Sequence, residues 1–151
     1  MSEILTAASL APEFYSNLMA DAFVSKTLHL GIIPTGTNLS PTLHETDRAA
    51  VIAAEYNAAG WTRPAVIIPS AGSYSSATKI HSAPQVEFTI TGPTGGLTFE
   101  QYFVIYDGSI TTPRDTAGIL YSLFTASSAV SVAESATFNL SVDMSLEVVS
   151  A

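Results

Sequence analysis

Phe138, Leu140, Val142, Met144, Leu146 and Val148 are apolar, and Asn139, Ser141, Asp143, Ser145 and Glu147 between them are polar. Successive side chains of a strand point to opposite faces, so this two-residue period predicts one strand with a buried and a solvated face. Such a strand must join a sheet whose apolar side is covered by another layer. The same alternation recurs from Val86 to Thr91, where Val86, Phe88 and Ile90 alternate with Glu87, Thr89 and Thr91. Gly92 to Gly96 (GPTGG) then reads as a turn, and Leu97 to Tyr106 as a long apolar strand. Together they predict a hairpin centred on Gly95.

Further strands are expected from Thr27 to Ile33, ended by Pro34 and Gly36, and from Gly118 to Phe124. The stretch WTRPAVIIP (Trp61 to Pro69) reads as extended, with Pro64 marking an edge or a bulge. Pro69 to Ala83 reads as a long loop. Asp107-Gly108 opens a turn, and SITTPRDT (Ser109 to Thr116) follows as an exposed loop.

Helical signals lie early in the chain. Ser9 stands where it would cap a helix with Pro12 in its first turn. Phe14, Leu18 and Ala22, flanked by Tyr15, Met19 and Phe23, form one apolar face at helical spacing. That face either packs on its own domain or docks on another subunit. Thr42 and Glu45 have capping-box spacing, and the Ala-rich run that follows predicts a second helix ending at Gly60, the alternative being a long loop with one helical turn.

The expectation is a mainly β fold: an antiparallel sandwich of about seven or eight strands with one or two N-terminal helices. Residues 1–26 form a helical anchor and residues 27–151 the β-sandwich, one domain overall. With 151 residues, such a chain can bury a core without covalent staples. It has no cysteine, so disulfides and thiolate chemistry are excluded.

Charge narrows the functions. Five basic residues against thirteen acidic ones give a net charge of −8. Nucleic-acid binding needs clustered cations to replace counterions, and an anionic membrane surface would repel this chain. No apolar run reaches the roughly 20 residues needed to span a bilayer. Met1 to Phe14 carries Glu3 and lacks a basic leader, so it does not read as a secretory signal.

No constellation of catalytic residues stands out. His29, His44 and His81 fall in separate segments without metal-ligand spacing, no GxSxG elbow accompanies the many serines, and Glu87, Glu100 and Asp107 lie along a single hairpin reading. The expectation is a protein that is not an enzyme, with no cofactor and no metal. Aromatic side chains offer another role. Trp61, Tyr74, Tyr102 and Tyr106 are candidate stacking platforms for sugars, set against the cross-strand packing that fills sheets with aromatics.

Several segments carry a resemblance: TLHLGIIPTG (Thr27 to Gly36), GWTR (Gly60 to Arg63), VEFTITGP (Val86 to Pro93), FEQYFVIYDG (Phe99 to Gly108) and GILYSLFT (Gly118 to Thr125). In this order, with the amphipathic strand after them, the chain resembles small β-rich virion structural proteins of tailed bacteriophages, cyanophages among them. It departs from that pattern at Ala49 to Ala59 and Pro69 to Ala83. The resemblance implies a β-sandwich-like subunit without catalytic residues, present in many copies. Its type is head decoration or cement, or a minor tail or fibre-associated component.

The leading expectation is a multi-copy capsid decoration or cement protein, homo-oligomeric, contacting other virion proteins and assembled in the host cytoplasm. Phe14, Leu18 and Phe23 are the expected subunit contacts, together with the loops Pro69 to Ala83 and Ser109 to Asp115. The alternative is a tail-fibre or baseplate-associated attachment protein that binds host surface glycans through Trp61, Tyr74, Tyr102 and Tyr106.

Overall fold

A computed structural model of the chain describes residues 24–37, 39, 48–68, 70, 72–75, 77, 80–82, 85–106, 111–143 and 146–147. Phe14, Leu18, Phe23 and the helix-start residues Thr42, His44 and Glu45 lie outside them, as does Asp107. The chain divides into two compact units. The larger comprises residues 27–66 and 87–140, and the smaller residues 1–26, 67–86 and 141–151.

The fold is mainly β and antiparallel. Among the described residues there are nine strands: β1 (Thr27–Pro34), β2 (Ala65–Ile67), β3 (Ser73–Ser75), β4 (Ile80–Ser82), β5 (Val86–Thr91), β6 (Leu97–Tyr106), β7 (Ile119–Val132), β8 (Thr137–Val142) and β9 (Leu146–Glu147). One short helix, α1 (Arg48–Ala53), accompanies them. A four-stranded sheet has the order β2-β1-β6-β7, a three-stranded sheet the order β3-β4-β9, and β5 pairs with β8.

β1 lies antiparallel to β6, with Leu28 opposite Tyr106 and Gly31 opposite Phe103. One face of this sheet supplies Ile33, Phe103, Ile105 and Leu123, which pack with Val51 and Ile52 of α1. The alternate β1 residues Leu28, Leu30 and Ile32 are also fully buried, so the sheet is covered on both faces. Continuous burial on both sides explains why TLHLGIIP reads as an apolar run without alternation. Gly31 is required by packing: a Cβ there would stand 2.0 Å from the Phe103 ring.

β5 and β6 do not form the expected hairpin. Both edges of β6 are occupied, by β1 and β7, so β5 finds its partner in β8. β6 and β7 run paired to Leu97 and Val132, both chains then turn, and the ribbon resumes as β5 and β8. The turns are bonded to each other, Gly92 N–H to the Ala136 carbonyl at 2.8 Å and Ser135 N–H to the Gly92 carbonyl at 2.9 Å. Contact is close enough that a Cβ on Gly92 would fall 1.9 Å from the Ala133 carbonyl oxygen. The larger unit is thus an open sandwich whose second layer is a folded-over continuation of the first.

Other boundaries differ from expectation for local reasons. α1 ends at Ala53 rather than near Gly60, because the Tyr56 N–H is taken by the Ile32 carbonyl of β1 at 2.7 Å. The expected Gly118–Phe124 strand extends to Val132, but residues 126–129 stand against Glu100 alone in a large bulge between Thr125↔Gln101 and Val130↔Phe99. The C-terminal alternation is divided between β8 and β9, since Leu146 pairs with His81 of β4. Periodicity identifies a face, and here the partner strand changes along it. Pro69 to Ala83 is not wholly loop, as it contains β3 and β4 paired through Tyr74 and His81. Pro64 precedes the edge strand β2, as its missing N–H requires.

Candidate functional site

Trp61 lies in a five-residue segment fixed at several points. Glu55 and Arg63 are both fully buried and form a two-point ion pair: Arg63 Nε donates to Glu55 Oε1 at 2.7 Å, and Nη2 to Oε2 at 2.6 Å. Glu55 Oε2 also accepts from the Arg114 N–H at 2.6 Å, and Arg63 Nη2 donates to the Asp115 carbonyl at 3.2 Å. Arg63 places its guanidinium carbon 5.9 Å from the centre of the Phe103 ring, on the electron-rich face that attracts cations. Its backbone N–H donates to the Thr111 carbonyl, and the Pro64 carbonyl accepts from Leu30 of β1. The Thr111–Thr116 loop is therefore exposed at Arg114 and Asp115 but tied inward through Glu55, with Pro113 buried.

Trp61 is half-buried and meets Tyr56 edge-on, with ring centroids 5.4 Å apart. It lines a groove of about 410 Å³ within the larger unit. One wall is the segment Ala59–Thr62 with Pro64. The other is the place where the ribbon folds over: Thr89 and Thr91 of β5, Gly92, Pro93 and Thr94 of the turn that follows it, and Glu134 and Ser135 of the other turn. Gly95 N–H donates to Glu134 Oε2 at 3.1 Å, and Thr89 Oγ1 donates to Asn139 Oδ1 at 3.1 Å, which holds this wall in shape. Its chemistry is hydroxyl-rich, with Glu134 as the single ionisable side chain.

Tyr102 and Tyr106 do not join Trp61 in the groove lining. Tyr102 stacks flat on Phe124 at 5.2 Å, and Phe99 meets it edge-on at 6.5 Å. Burial raises its phenol above the ordinary tyrosine value. Tyr106 is half-buried at the end of β6. Tyr74 is placed in β3, and its side chain lies outside the described residues. Of the residues considered for acid–base or metal chemistry, Glu87 is exposed on β5, Glu100 is half-buried in β6, and His29 is buried in β1. Among the described residues no three His, Asp or Glu side chains converge to hold a metal, and no helix is long and apolar enough to cross a membrane.

Of the groove lining, the sequence reading singled out Trp61 but not the threonines or Glu134, and it did not anticipate the buried Glu55–Arg63 pair. One signal was present. In a chain with only five basic residues, an Arg set between Trp61 and Pro64 is unusual enough to examine. Comparison with family models, curated proteins and solved structures found no match to this chain.

Proposed function

We propose that the chain is a non-enzymatic structural subunit of a tailed-phage particle, present in many copies and decorating the capsid. The segment order that resembles phage virion proteins motivates the reading, and the exposed edge of the central sheet supports it. Thr125, Ser127, Ser128, Ala129 and Ser131 of the edge strand β7 are exposed and carry no charge. At the opposite edge Ile67 of β2 is 60% exposed. A neighbouring subunit can cover such edges without stripping water from ions, a cost that disfavours charged contacts. The net charge of −8 favours docking on a more basic partner surface.

Quantitative mass spectrometry of purified particles tests this reading. A copy number comparable to that of the major capsid subunit is the expected result. A much smaller number places the chain in the tail, and its absence from particles rejects a virion role. Deleting residues 1–26 is expected to abolish incorporation, since the apolar face around Phe14, Leu18 and Phe23 is the proposed anchor.

The second reading, an attachment protein that binds host surface glycans, is favoured by one observation: Trp61 lines a hydroxyl-rich groove.

A further inference from the structure

We infer that the groove between Trp61 and the paired turns is a binding site for a neutral carbohydrate, an inference that rests on the attachment reading and names its site and ligand class. Its volume, about 410 Å³, lies in the range of small-ligand clefts. What decides the ligand class is the lining. Thr62, Thr91, Thr94 and Ser135 present hydroxyls able to donate and accept, and Thr89, whose proton goes to Asn139, one able to accept, beside one indole and one carboxylate.

Four ligand classes fit this lining poorly. An anion, whether phosphate or acidic sugar, would meet Glu134 and no cation in the lining, on a chain of net charge −8. A metal ion would find a single carboxylate already accepting from Gly95. A purely apolar ligand would desolvate the threonine hydroxyls and Glu134 without giving them partners. Single-stranded nucleic acid needs a basic track along its backbone.

A neutral sugar matches each element. Its C–H face packs on an aromatic ring, and its hydroxyls exchange hydrogen bonds with hydroxyls and with a carboxylate. Trp61 is half-buried and lines the groove, so part of its ring is open to such a face. Both walls are preorganised, one by the Glu55–Arg63 pair and the other by the bonds between the turns. Ordering them on binding therefore costs little.

Trp61 is the only tryptophan in the chain, so its emission reports directly on the groove. The full chain is titrated with glucose, galactose, mannose and N-acetylglucosamine oligomers of two to four units, and with heparin fragments as the anionic comparison. Fluorescence is read together with calorimetry.

The expected result is a saturable emission change with at least one neutral series. Affinity is expected to fall about tenfold or more in Thr91→Val combined with Glu134→Gln, the equivalent of about 1.4 kcal/mol. Both positions are exposed, so these variants test the site without removing core contacts. Trp61→Phe, read by calorimetry, is expected to weaken binding as well. Neutral binding unchanged in all these variants overturns the site while leaving the attachment reading intact. Binding to heparin alone overturns the ligand class. Absence of binding to either group overturns the inference and the attachment reading together.

Discussion

The side-chain amide of Gln101 pairs with both backbone polar groups of Leu39, donating to its carbonyl at 2.9 Å and accepting from its N–H at 3.0 Å. The amide thus serves Leu39 as a neighbouring strand's backbone would, and it anchors Leu39 beside the core formed by Ile33, Phe103 and α1. Gln101 is itself buried, so removing its amide leaves polar groups without partners. Gln101→Leu is expected to lower stability by about 1–3 kcal/mol, measured by urea unfolding. Gln101→Glu removes the donor to the Leu39 carbonyl and adds a buried charge, and is expected to cost more.

The buried pair of Glu55 and Arg63 should behave as a unit. Glu55→Gln leaves an uncompensated guanidinium inside the protein, and a loss of about 3–5 kcal/mol is expected. Replacing both residues by Met is expected to be less damaging than Glu55→Gln, because no orphaned charge remains. Denaturant unfolding of the single and double variants measures the difference. A shifted Trp61 emission in Glu55→Gln would show that the segment it supports has moved.

Gly31 and Gly92 are both close-contact glycines, but they face different neighbours. Gly31→Ala would collide with the Phe103 side chain, and a loss of about 1–3 kcal/mol is expected, partly recovered by adding Phe103→Leu. Gly92→Ala would collide with the backbone carbonyl of Ala133, which no side-chain change can move aside. It is expected to resist second-site trimming, and thermal unfolding of the two pairs of variants separates the cases.

Tyr102 predicts a specific alkaline behaviour. Burial penalises its phenolate, so its folded pKa lies above the ordinary tyrosine value of about 10. The unfolded chain then ionises first, and the phenol's contribution to stability is complete below that value and declines as pH rises past it. Ultraviolet titration of the phenolates in the folded protein should show a late component that Tyr102→Phe removes.

The strands were legible where one face is wet. Val86 to Thr91 alternates buried and exposed residues as expected, and Phe138 to Val142 follows the same pattern. Pairing was not legible, because period two says which face a residue occupies and nothing about which strand lies beside it. The short α1 illustrates another limit. Ala54 to Ala59 has helical propensity, yet one hydrogen bond from Tyr56 to Ile32 outweighs it. The groove was hidden for a third reason. Its walls come from three stretches of sequence, residues 59–64, 89–94 and 134–135, which meet only through the topology of the ribbon.

The ribbon that folds over at Gly92 and Ser135 makes one alignment serve two layers. Leu97 opposite Val132 sets β6 against β7, and the bonded turns carry that alignment on to Thr89 and Asn139. A slip of one residue would turn buried side chains outward in both layers at once, doubling the penalty that an ordinary hairpin pays. Lengthening one turn alone would force that slip, whereas matched changes in both turns would preserve it. The two turns at this fold are therefore bound to vary together in length.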